Sequence, residues 1–335
     1  MTSAASIDSA GAAEAVPRVF AADCWGLVLG GSSGIGLASA RRLAAAGMSL
    51  VVVHRDRRAA MARIEKDFER LAADAPALVT LNVDALSAEG RSRVLDEAAA
   101  RLQGRGRIRV LLHSIALGNL KPLSLPGDGT VANHRRRALD DLACALGIDG
   151  DALAKAVDQS FAGGCAMLHA LATPADYGKR IADDEDFAST VHNMGTSLYT
   201  WVRDVHERAL FAPDARVLAL TSEGNTIAWR GYGAVSAAKA ALEAVSRQIA
   251  LELAPWGIRS NIVQAGITET PASALIPGIA AMKADAMLRN PLGRLTTPQD
   301  VADAVYLLCT DEARWINGSI LRVDGGEHIS RGACA

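Results

Sequence analysis

The sequence predicts a doubly wound α/β fold, in which one parallel sheet of about seven strands carries helices on both faces. Three observations lead to this prediction. Half of the 335 residues are hydrophobic, short apolar runs alternate with segments of helical periodicity, and a glycine-rich turn follows the first run. Apolar strands that alternate with helices require crossover connections, which produce a parallel sheet buried on both faces.

The predicted strands are seven short apolar runs that begin at Trp25, namely GLVLGG, SLVVVH, ALVTLNV, IRVLLHSIA, ARVLALTS, IRSNIVQA and SILRVDGG. Helical periodicity separates them, for instance over residues 35–46 and 237–253. We therefore predict a single domain over residues 21–335. Residues 1–20 are small and polar without the pattern of a signal peptide, and they are expected to form a flexible tail.

One segment, residues 118–187, interrupts this alternation. It has no strand pattern, but helical periods occur in ALDDLACALG and DALAKAVDQSFAGGCAMLHALA. Because a structureless loop of this length is uncommon in a compact domain, we predict a helical insertion after the fourth strand. Its basic run at residues 135–137 could contact a phosphate, although such runs more often form a solvated helix face.

The composition excludes several classes of function. Lys and Arg number 35 and Asp and Glu number 37, so the net charge is −2. This balance argues against binding to nucleic acid or to a membrane surface through positive charge. The five cysteines form no CxxC pair, which predicts neither a disulfide framework nor a metal site. With no apolar run long enough to span a bilayer, we expect a cytoplasmic protein.

A glycine-rich turn connects the first strand to the first helix in GLVLGGSSGIGLASARRLAAAG, at Gly30, Gly34 and Gly36. Without a Cβ atom the backbone can approach a ligand closely. The free N–H groups at the start of the helix, together with the helix dipole, attract an anion. Within a strand–helix–strand unit, this arrangement predicts a site for the pyrophosphate of a dinucleotide.

The motif GGSSGIG resembles the cofactor loop of the short-chain dehydrogenase/reductase family, which has the spacing Gly-x-x-x-Gly-x-Gly. The resemblance extends from Trp25 to about His328 except for the insertion, and it implies a Rossmann-type fold. The family usually has threonine where this chain has Leu29, so we expect one hydrogen bond within the loop to be lost. The resemblance implies a cofactor site formed by Gly30, Ser32, Ser33, Gly34, Ile35, Gly36, His54, Arg55, Asn82, Val83, Ser114, Ile115, Ala116, Lys239, Gly266, Ile267, Thr268 and Thr270.

The end of the second strand, VVVHRDRR, bears on the type of cofactor. A carboxylate at its tip would accept hydrogen bonds from both ribose hydroxyls of NADH. Here His54 and Arg55 stand at the tip, followed by Arg57 and Arg58. Because a guanidinium pairs with phosphate through two hydrogen bonds, we expect NADPH. Asp56 keeps NADH as the alternative.

The segment TSEGNTIAWRGYGAVSAAKAALEAV carries the candidate catalytic residues. Most family members have a tyrosine four residues before the lysine, but Val235 occupies that position and Tyr232 precedes Lys239 by seven residues. Residues seven apart share a helix face with an axial offset of about 10.5 Å. If the helix includes Tyr232, its hydroxyl lies far from Lys239. This placement suits a reaction in which hydride and negative charge arrive at separated atoms.

This tyrosine–lysine separation, with HSIA, HNM and AGITET, resembles the enoyl-acyl-carrier-protein reductases of the family. The resemblance implies reduction of an enoyl thioester carried by acyl-carrier protein or coenzyme A, with the insertion as a lid or acyl-chain wall. Tyr232 would stabilise the enolate, and Lys239 would bind the nicotinamide ribose and favour the phenolate form of Tyr232. Thr270 would hold the carboxamide or the pyrophosphate. The last strand implies a homo-oligomer, either a tetramer or a dimer.

Two other functions stay open. Ser222 lies thirteen residues before Val235, where family members carry a catalytic serine. A ketone or hydroxyl oxidoreductase would therefore use Ser222, Tyr232 and Lys239. The replacements at Val235 and Leu29, together with the insertion, also allow a non-catalytic protein that senses a dinucleotide.

Overall fold

The sheet has seven parallel strands in the order β3-β2-β1-β4-β5-β6-β7, which confirms the predicted fold class. The computed structural model describes residues 19–21, 23–104, 106–125 and 130–330, so nearly all of the predicted tail 1–20 lies outside the described residues. The strands are β1 (Cys24–Leu29), β2 (Ser49–His54), β3 (Leu78–Asn82), β4 (Arg107–His113), β5 (Phe211–Ser222), β6 (Ile258–Ala265) and β7 (Ile320–Val323).

Helices connect the strands and cover both faces of the sheet. The described residues form α1 (Gly34–Ala45), α2 (Arg58–Asp74), α3 (Ala88–Leu102), α4 (Thr130–Leu146), α5 (Gly150–Ala162), α6 (Asp184–Val191), α7 (Ser197–Glu207), α8 (Gly233–Glu252), α9 (Ile279–Arg289) and α10 (Pro298–Cys309). None of these helices is both long enough and apolar enough to cross a membrane.

Two apolar cores lie on opposite faces of the sheet because the central strands are apolar at nearly every position. On one face Leu27 and Leu111 pack with Trp201 of α7. On the other face Val28 packs with Leu43 of α1 and with residues of α10. Burial of both faces is typical of a parallel sheet with crossover helices. The carboxyl ends of all strands therefore meet at one edge, where the connecting loops form a cleft.

The described part of the 118–187 segment contains helices and no strand, as the sequence predicts. Helices α4 and α5 pack against each other, and a short 3₁₀ turn (Ala166–Leu168) contacts α9. The basic run does not act as a unit. Arg135 donates hydrogen bonds to the Leu171 carbonyl at 2.8 Å and to Thr173 at 3.0 Å, whereas Arg136 and Arg137 are exposed.

Candidate active site

A cleft of about 800 Å³ opens at the carboxyl ends of the strands, beside the point where the strand order reverses between β1 and β4. Ligands of doubly wound sheets bind at such a switch point. Every predicted site residue lines this cleft except Gly36 and Asn82, namely Gly30, Ser32, Ser33, Gly34, Ile35, His54, Arg55, Val83, Ser114, Ile115, Ala116, Ser222, Tyr232, Lys239, Gly266, Ile267, Thr268 and Thr270.

The glycine loop packs so closely that two of its positions have no room for a side chain. A Cβ atom on Gly30 would lie 2.6 Å from the Ser114 carbonyl oxygen, and one on Gly36 would lie 2.2 Å from the Gly30 carbonyl oxygen. Gly36 therefore allows the close packing of the loop, although it does not itself line the cleft. Ser33 is the N-cap of α1, but its side chain does not cap the helix, which leaves the N–H groups of the first turn for a ligand. This loop fits the pyrophosphate of a dinucleotide.

Basic and acidic side chains share the end of the cleft that follows β2. His54 is buried, with its Nδ1 2.9 Å from Asp56 Oδ2 and its ring edge-on to Phe68. Arg55 is largely exposed and lies 3.0 Å from Asp84. A phosphate on the ribose would meet the guanidinium groups of Arg55 and Arg57, both of which line the cleft, and would compete with Asp84 for Arg55.

Asn82 does not line the cleft, but its side chain holds the backbone of a residue that does. Its Oδ1 accepts a hydrogen bond from the Asp56 N–H at 3.0 Å, and its Nδ2 donates to the Asp56 carbonyl at 3.1 Å. These two bonds fix the backbone of the loop that follows β2. The neighbouring Val83 lines the cleft, whereas Asn82 does not.

Tyr232 lies immediately before helix α8 and is not part of it. It is the N-cap residue of the helix, with φ −100° and ψ 5° where most N-cap residues are extended. Gly231 before it has φ +75°, and the helix begins at Gly233. The Tyr232 carbonyl accepts the Ser236 N–H at 2.8 Å. The condition behind the predicted axial separation, a helix that includes Tyr232, is therefore not met. The Tyr232 ring packs on Gly224, where an added Cβ atom would lie 2.3 Å from the ring.

The hydroxyl groups of Tyr232 and Ser222 lie 3.4 Å apart in the cleft. Burial raises the pKa of the Tyr232 phenol, and the hydrogen bond with Ser222 opposes this rise. Burial is the largest influence on this pKa, and the expected effect of Lys239 on the phenolate stays a prediction. At neutral pH the phenol keeps its proton and can donate a hydrogen bond.

Lys239 is buried in α8 and donates a hydrogen bond to the Leu220 carbonyl at 2.8 Å. Burial lowers the pKa of Lys239 to about 8, and the negative charge of Glu243 opposes this shift. His113 is also buried, with Nε2 2.8 Å from Ser197 Oγ. Burial, helped by the charge of Lys239, lowers the pKa of His113 to about 3, so this imidazole is neutral.

The segment after β6 folds over the glycine loop. The Thr268 hydroxyl donates to the Gly266 carbonyl at 2.8 Å. Thr270 accepts the Ser273 N–H at 3.0 Å through its hydroxyl, and its methyl group faces Gly34. This segment and the glycine loop thus meet at Thr270 and Gly34, and both line the predicted cofactor site.

The apolar half of the cleft is not predicted by the sequence patterns described above. Its lining residues come from the loop after β4, the turn before α7, helix α8, the segment before α9 and the first residue of α9, namely Leu117, Leu120, Met194, Val235, Leu275, Ile276 and Ile279. The run ALIPGI after AGITET is a signal that could have indicated this wall. Val235, at the usual tyrosine position, contributes to the same apolar surface.

The fold and this cleft define a Rossmann-type protein with a dinucleotide-binding loop beside a tyrosine and a lysine. A family model described as short chain dehydrogenase matches residues 25–128, and one described as Enoyl-(Acyl carrier protein) reductase matches residues 149–328, more than half of the chain. The chain belongs to the short-chain dehydrogenase/reductase family, a family of oxidoreductases, within its enoyl-(acyl carrier protein) reductase group. The two matches leave residues 129–148, which hold all of α4, outside both models.

Individual relatives match parts of the chain. The enoyl-[acyl-carrier-protein] reductase [NADH] FabI of Aquifex aeolicus is 29% identical over 199 residues, which cover 56% of this chain and 71% of that protein. FabI of Bacillus subtilis is 30% identical over 46% of this chain and 59% of its own length. A cis-4-hydroxycyclohexanecarboxylate dehydrogenase of Sinomonas cyclohexanicum is 43% identical over 27% of this chain and 36% of its own. The matches thus span less than two thirds of the last two relatives.

Solved structures share the fold over nearly the whole chain. FabI from Candidatus Liberibacter asiaticus superposes with a TM-score of 0.66 at 19% identity, covering 92% of this chain and 96% of that chain. The enoyl-[acyl-carrier-protein] reductase (NADH) from Aquifex aeolicus superposes with a TM-score of 0.65 at 20% identity, covering 92% and 97%. Both similarities concern the fold.

Proposed function

We propose that the protein reduces the C=C bond of an α,β-unsaturated acyl thioester with hydride from a nicotinamide dinucleotide. The observation that carries this proposal is the position of the Tyr232 hydroxyl in a cleft where Val235 replaces the usual tyrosine. The cleft combines this hydroxyl with an apolar half that suits an acyl chain. The match to the enoyl-(acyl carrier protein) reductase model supports the same reaction.

The chain's own residues account for binding. The glycine loop and the first turn of α1 offer backbone N–H groups to the pyrophosphate, and Lys239 offers its ammonium group to the nicotinamide ribose. The bound dinucleotide supplies the hydride. The Thr270 methyl group lies against Gly34 of this loop, at the edge of the cofactor site.

Tyr232 stabilises the charge that develops during the reaction. Hydride adds to the β-carbon, the C=C electrons shift toward the thioester carbonyl, and an enolate oxygen forms. The protonated Tyr232 phenol donates a hydrogen bond to that oxygen, which is an oxyanion-stabilising role. A solvent proton then completes the saturated product at the α-carbon.

The choice of cofactor depends on the loop that follows β2. Arg55 and Arg57 favour NADPH, whereas Asp56 and the relatives named as NADH enzymes favour NADH. We propose NADPH, with NADH as the alternative.

Arg55→Ala and Arg57→Ala should then each weaken NADPH binding about tenfold and leave NADH binding unchanged, because each removes a charged hydrogen bond to the 2′-phosphate.

Fluorescence titration with both dinucleotides measures this difference. Arg58→Ala is the matched control, since Arg58 is exposed at the start of α2 and does not line the cleft. A wild-type protein that binds NADH more tightly than NADPH would replace the proposal with its alternative.

The proposed substrate is an acyl thioester on acyl-carrier protein or coenzyme A, and the proposed protein partners are further copies of the chain. We propose that the protein acts in the cytoplasm. Edge strand β7 supports an oligomer, because its Ile320 and Leu321 are partly exposed. Trp315, which precedes this strand in the chain, is 92% exposed. An apolar edge of this kind is typical of a surface that another chain covers. Light scattering of the purified protein tests for a dimer or tetramer, and a monomer would contradict it.

The substrate class is tested by following NADPH and NADH absorbance with crotonyl-coenzyme A and acetoacetyl-coenzyme A. The proposal expects oxidation of the dinucleotide with crotonyl-coenzyme A, and addition of acyl-carrier protein substrates then identifies the carrier. Dinucleotide binding without turnover of either thioester would favour the non-catalytic alternative.

A second function, reduction of a ketone, is favoured by one observation. Ser222 and Tyr232 place two hydroxyl groups 3.4 Å apart, close enough to share one carbonyl oxygen. Faster turnover of acetoacetyl-coenzyme A than of crotonyl-coenzyme A would support this function and overturn the first.

A further inference from the structure

Tyr177, a residue of the insertion, touches two separate loops beside the apolar half of the cleft. Its hydroxyl donates a hydrogen bond to the Pro277 carbonyl at 3.2 Å. Its ring packs on Gly231, where an added Cβ atom would lie 2.7 Å from Cε1 of the ring. One side chain thus connects the segment before α9 to the turn before α8.

Both contact points adjoin residues that line the cleft. Gly231 directly precedes Tyr232, the proposed hydrogen-bond donor to the substrate. Pro277 directly follows Ile276 of the apolar wall. Tyr177 therefore lies between the turn that carries the Tyr232 hydroxyl and the apolar wall that would hold the acyl chain.

Neither loop is held by regular secondary structure at these contacts. Gly231 has φ +75° and precedes α8, and Gly278 has φ +79° and is the N-cap of α9. Loops with few backbone hydrogen bonds open more readily than the elements they join. A side chain that contacts both loops restricts their relative motion.

The surroundings of Tyr177 favour this role. The Arg230 guanidinium lies 5.6 Å from the centre of the Tyr177 ring and donates a hydrogen bond to the Ser124 carbonyl at 2.8 Å. Burial raises the pKa of Tyr177, and the charge of Arg230 opposes this shift. At neutral pH the phenol keeps the proton that it donates to the Pro277 carbonyl.

We propose that Tyr177 is a positioning residue, which holds the Tyr232 turn and the 275–279 segment at one separation so that the acyl group meets both in a single geometry. This inference rests on the proposed reductase function. It also gives the insertion a specific task, since Tyr177 lies outside the alternating strands and helices of the core.

Tyr177→Phe tests the proposal, because it removes the hydrogen bond to Pro277 and keeps the ring against Gly231. Tyr199→Phe is the matched control, since Tyr199 is 51% exposed on α7 and does not line the cleft. Amide hydrogen exchange over residues 270–282 should become about fivefold faster in Tyr177→Phe only, as expected for the loss of one hydrogen bond.

Kinetics supply the second measurement. The KM for the enoyl thioester should rise about fivefold in Tyr177→Phe, from the loss of the same bond, while the dissociation constant of the dinucleotide stays unchanged. A residue with a merely structural role would not separate these two constants.

Each outcome decides a different point. Unchanged exchange in Tyr177→Phe would overturn the inference whether or not the protein is a reductase. Faster exchange with an unchanged KM in an active enzyme would overturn the positioning role. A wild-type protein without enoyl turnover would overturn the proposed function instead, and the exchange measurement would still decide whether Tyr177 holds the two loops.

Discussion

The position of Tyr232 as the last residue before α8 gives its phenol a different environment from that of a tyrosine within the helix. The turn through Gly231 directs the ring onto Gly224 and brings the hydroxyl to 3.4 Å from Ser222. Lys239 instead bonds the Leu220 carbonyl at 2.8 Å. The proposed function accordingly assigns the tyrosine to the substrate and the lysine to the cofactor.

Removal of this hydroxyl in Tyr232→Phe should lower kcat for the enoyl thioester about 100- to 1,000-fold, the usual effect of losing one oxyanion donor. Dinucleotide affinity should stay within twofold, because Tyr232 is assigned no cofactor contact. Steady-state kinetics and fluorescence titration measure the two quantities, with Tyr199→Phe as the control. Wild-type turnover in Tyr232→Phe would show that another group carries the oxyanion.

Among the elements, α10 packs in the same core as α1, and the residue before its N-cap contacts the segment that follows β6. Its N-cap residue Thr297 forms a capping box, in which the Thr297 hydroxyl accepts the Asp300 N–H at 3.2 Å and the Asp300 carboxylate accepts the Thr297 N–H at 2.8 Å. The sequence TTPQD predicts this cap and the proline at the first helical position. The adjacent Thr296 pairs with Thr268 of the cleft in an isolated β-bridge.

Thr297→Ala should lower the free energy of unfolding by about 1 kcal/mol, since it removes the N-cap acceptor. Thr297→Ser keeps the hydroxyl and serves as the matched control, with a change of only a few tenths of a kcal/mol expected. Urea denaturation measures both. Equal stability of the alanine variant and the wild type would show that the cap contributes nothing to this helix.

At the scale of the whole molecule, a buried charge cluster connects the ends of β5, β6 and β7 to α9. Arg289 lies 2.8 Å from Glu223, which follows Ser222, and 3.3 Å from Glu327, which is 1% exposed. The Glu327 carboxylate also accepts the Ile267 N–H at 3.3 Å. Burial, with the nearby charges of Glu223 and Asp324, raises the pKa of Glu327 to about 7.

This shift predicts a pH-dependent stability. Because the pKa of Glu327 is higher in the folded protein, its contribution to stability is fully present below pH 4.5 and is lost as the pH rises through about 7. Glu327→Gln should remove this part of the decline, a change on the order of 2 kcal/mol between pH 5 and pH 8.

Urea denaturation at several pH values measures the difference between the wild type and Glu327→Gln. Glu252→Gln, an exposed glutamate of α8, is the control and should keep the wild-type pH dependence. The same slope in Glu327→Gln and the wild type would exclude Glu327 as its source.

The amino-acid sequence by itself determined the fold class, the strand positions and the composition of the cofactor loop. These features depend on local patterns, because apolar runs predict buried strands and Gly30 and Gly34 allow the positive φ angles of the turn. The predicted strands at SLVVVH and IRSNIVQA coincide with β2 and β6. The spacing of Tyr232 and Lys239 is likewise a property of the sequence alone.

The tertiary structure decided the properties that depend on contacts between distant segments. Only burial in the folded chain raises the pKa of Tyr232, and only the packing of the β2 and β3 ends turns Asn82 toward Asp56 and away from the cleft. Tyr177 reaches Gly231 and Pro277 through segments that are far apart in the chain. No local pattern specifies such long-range contacts, because each arises from the packing of several elements at once.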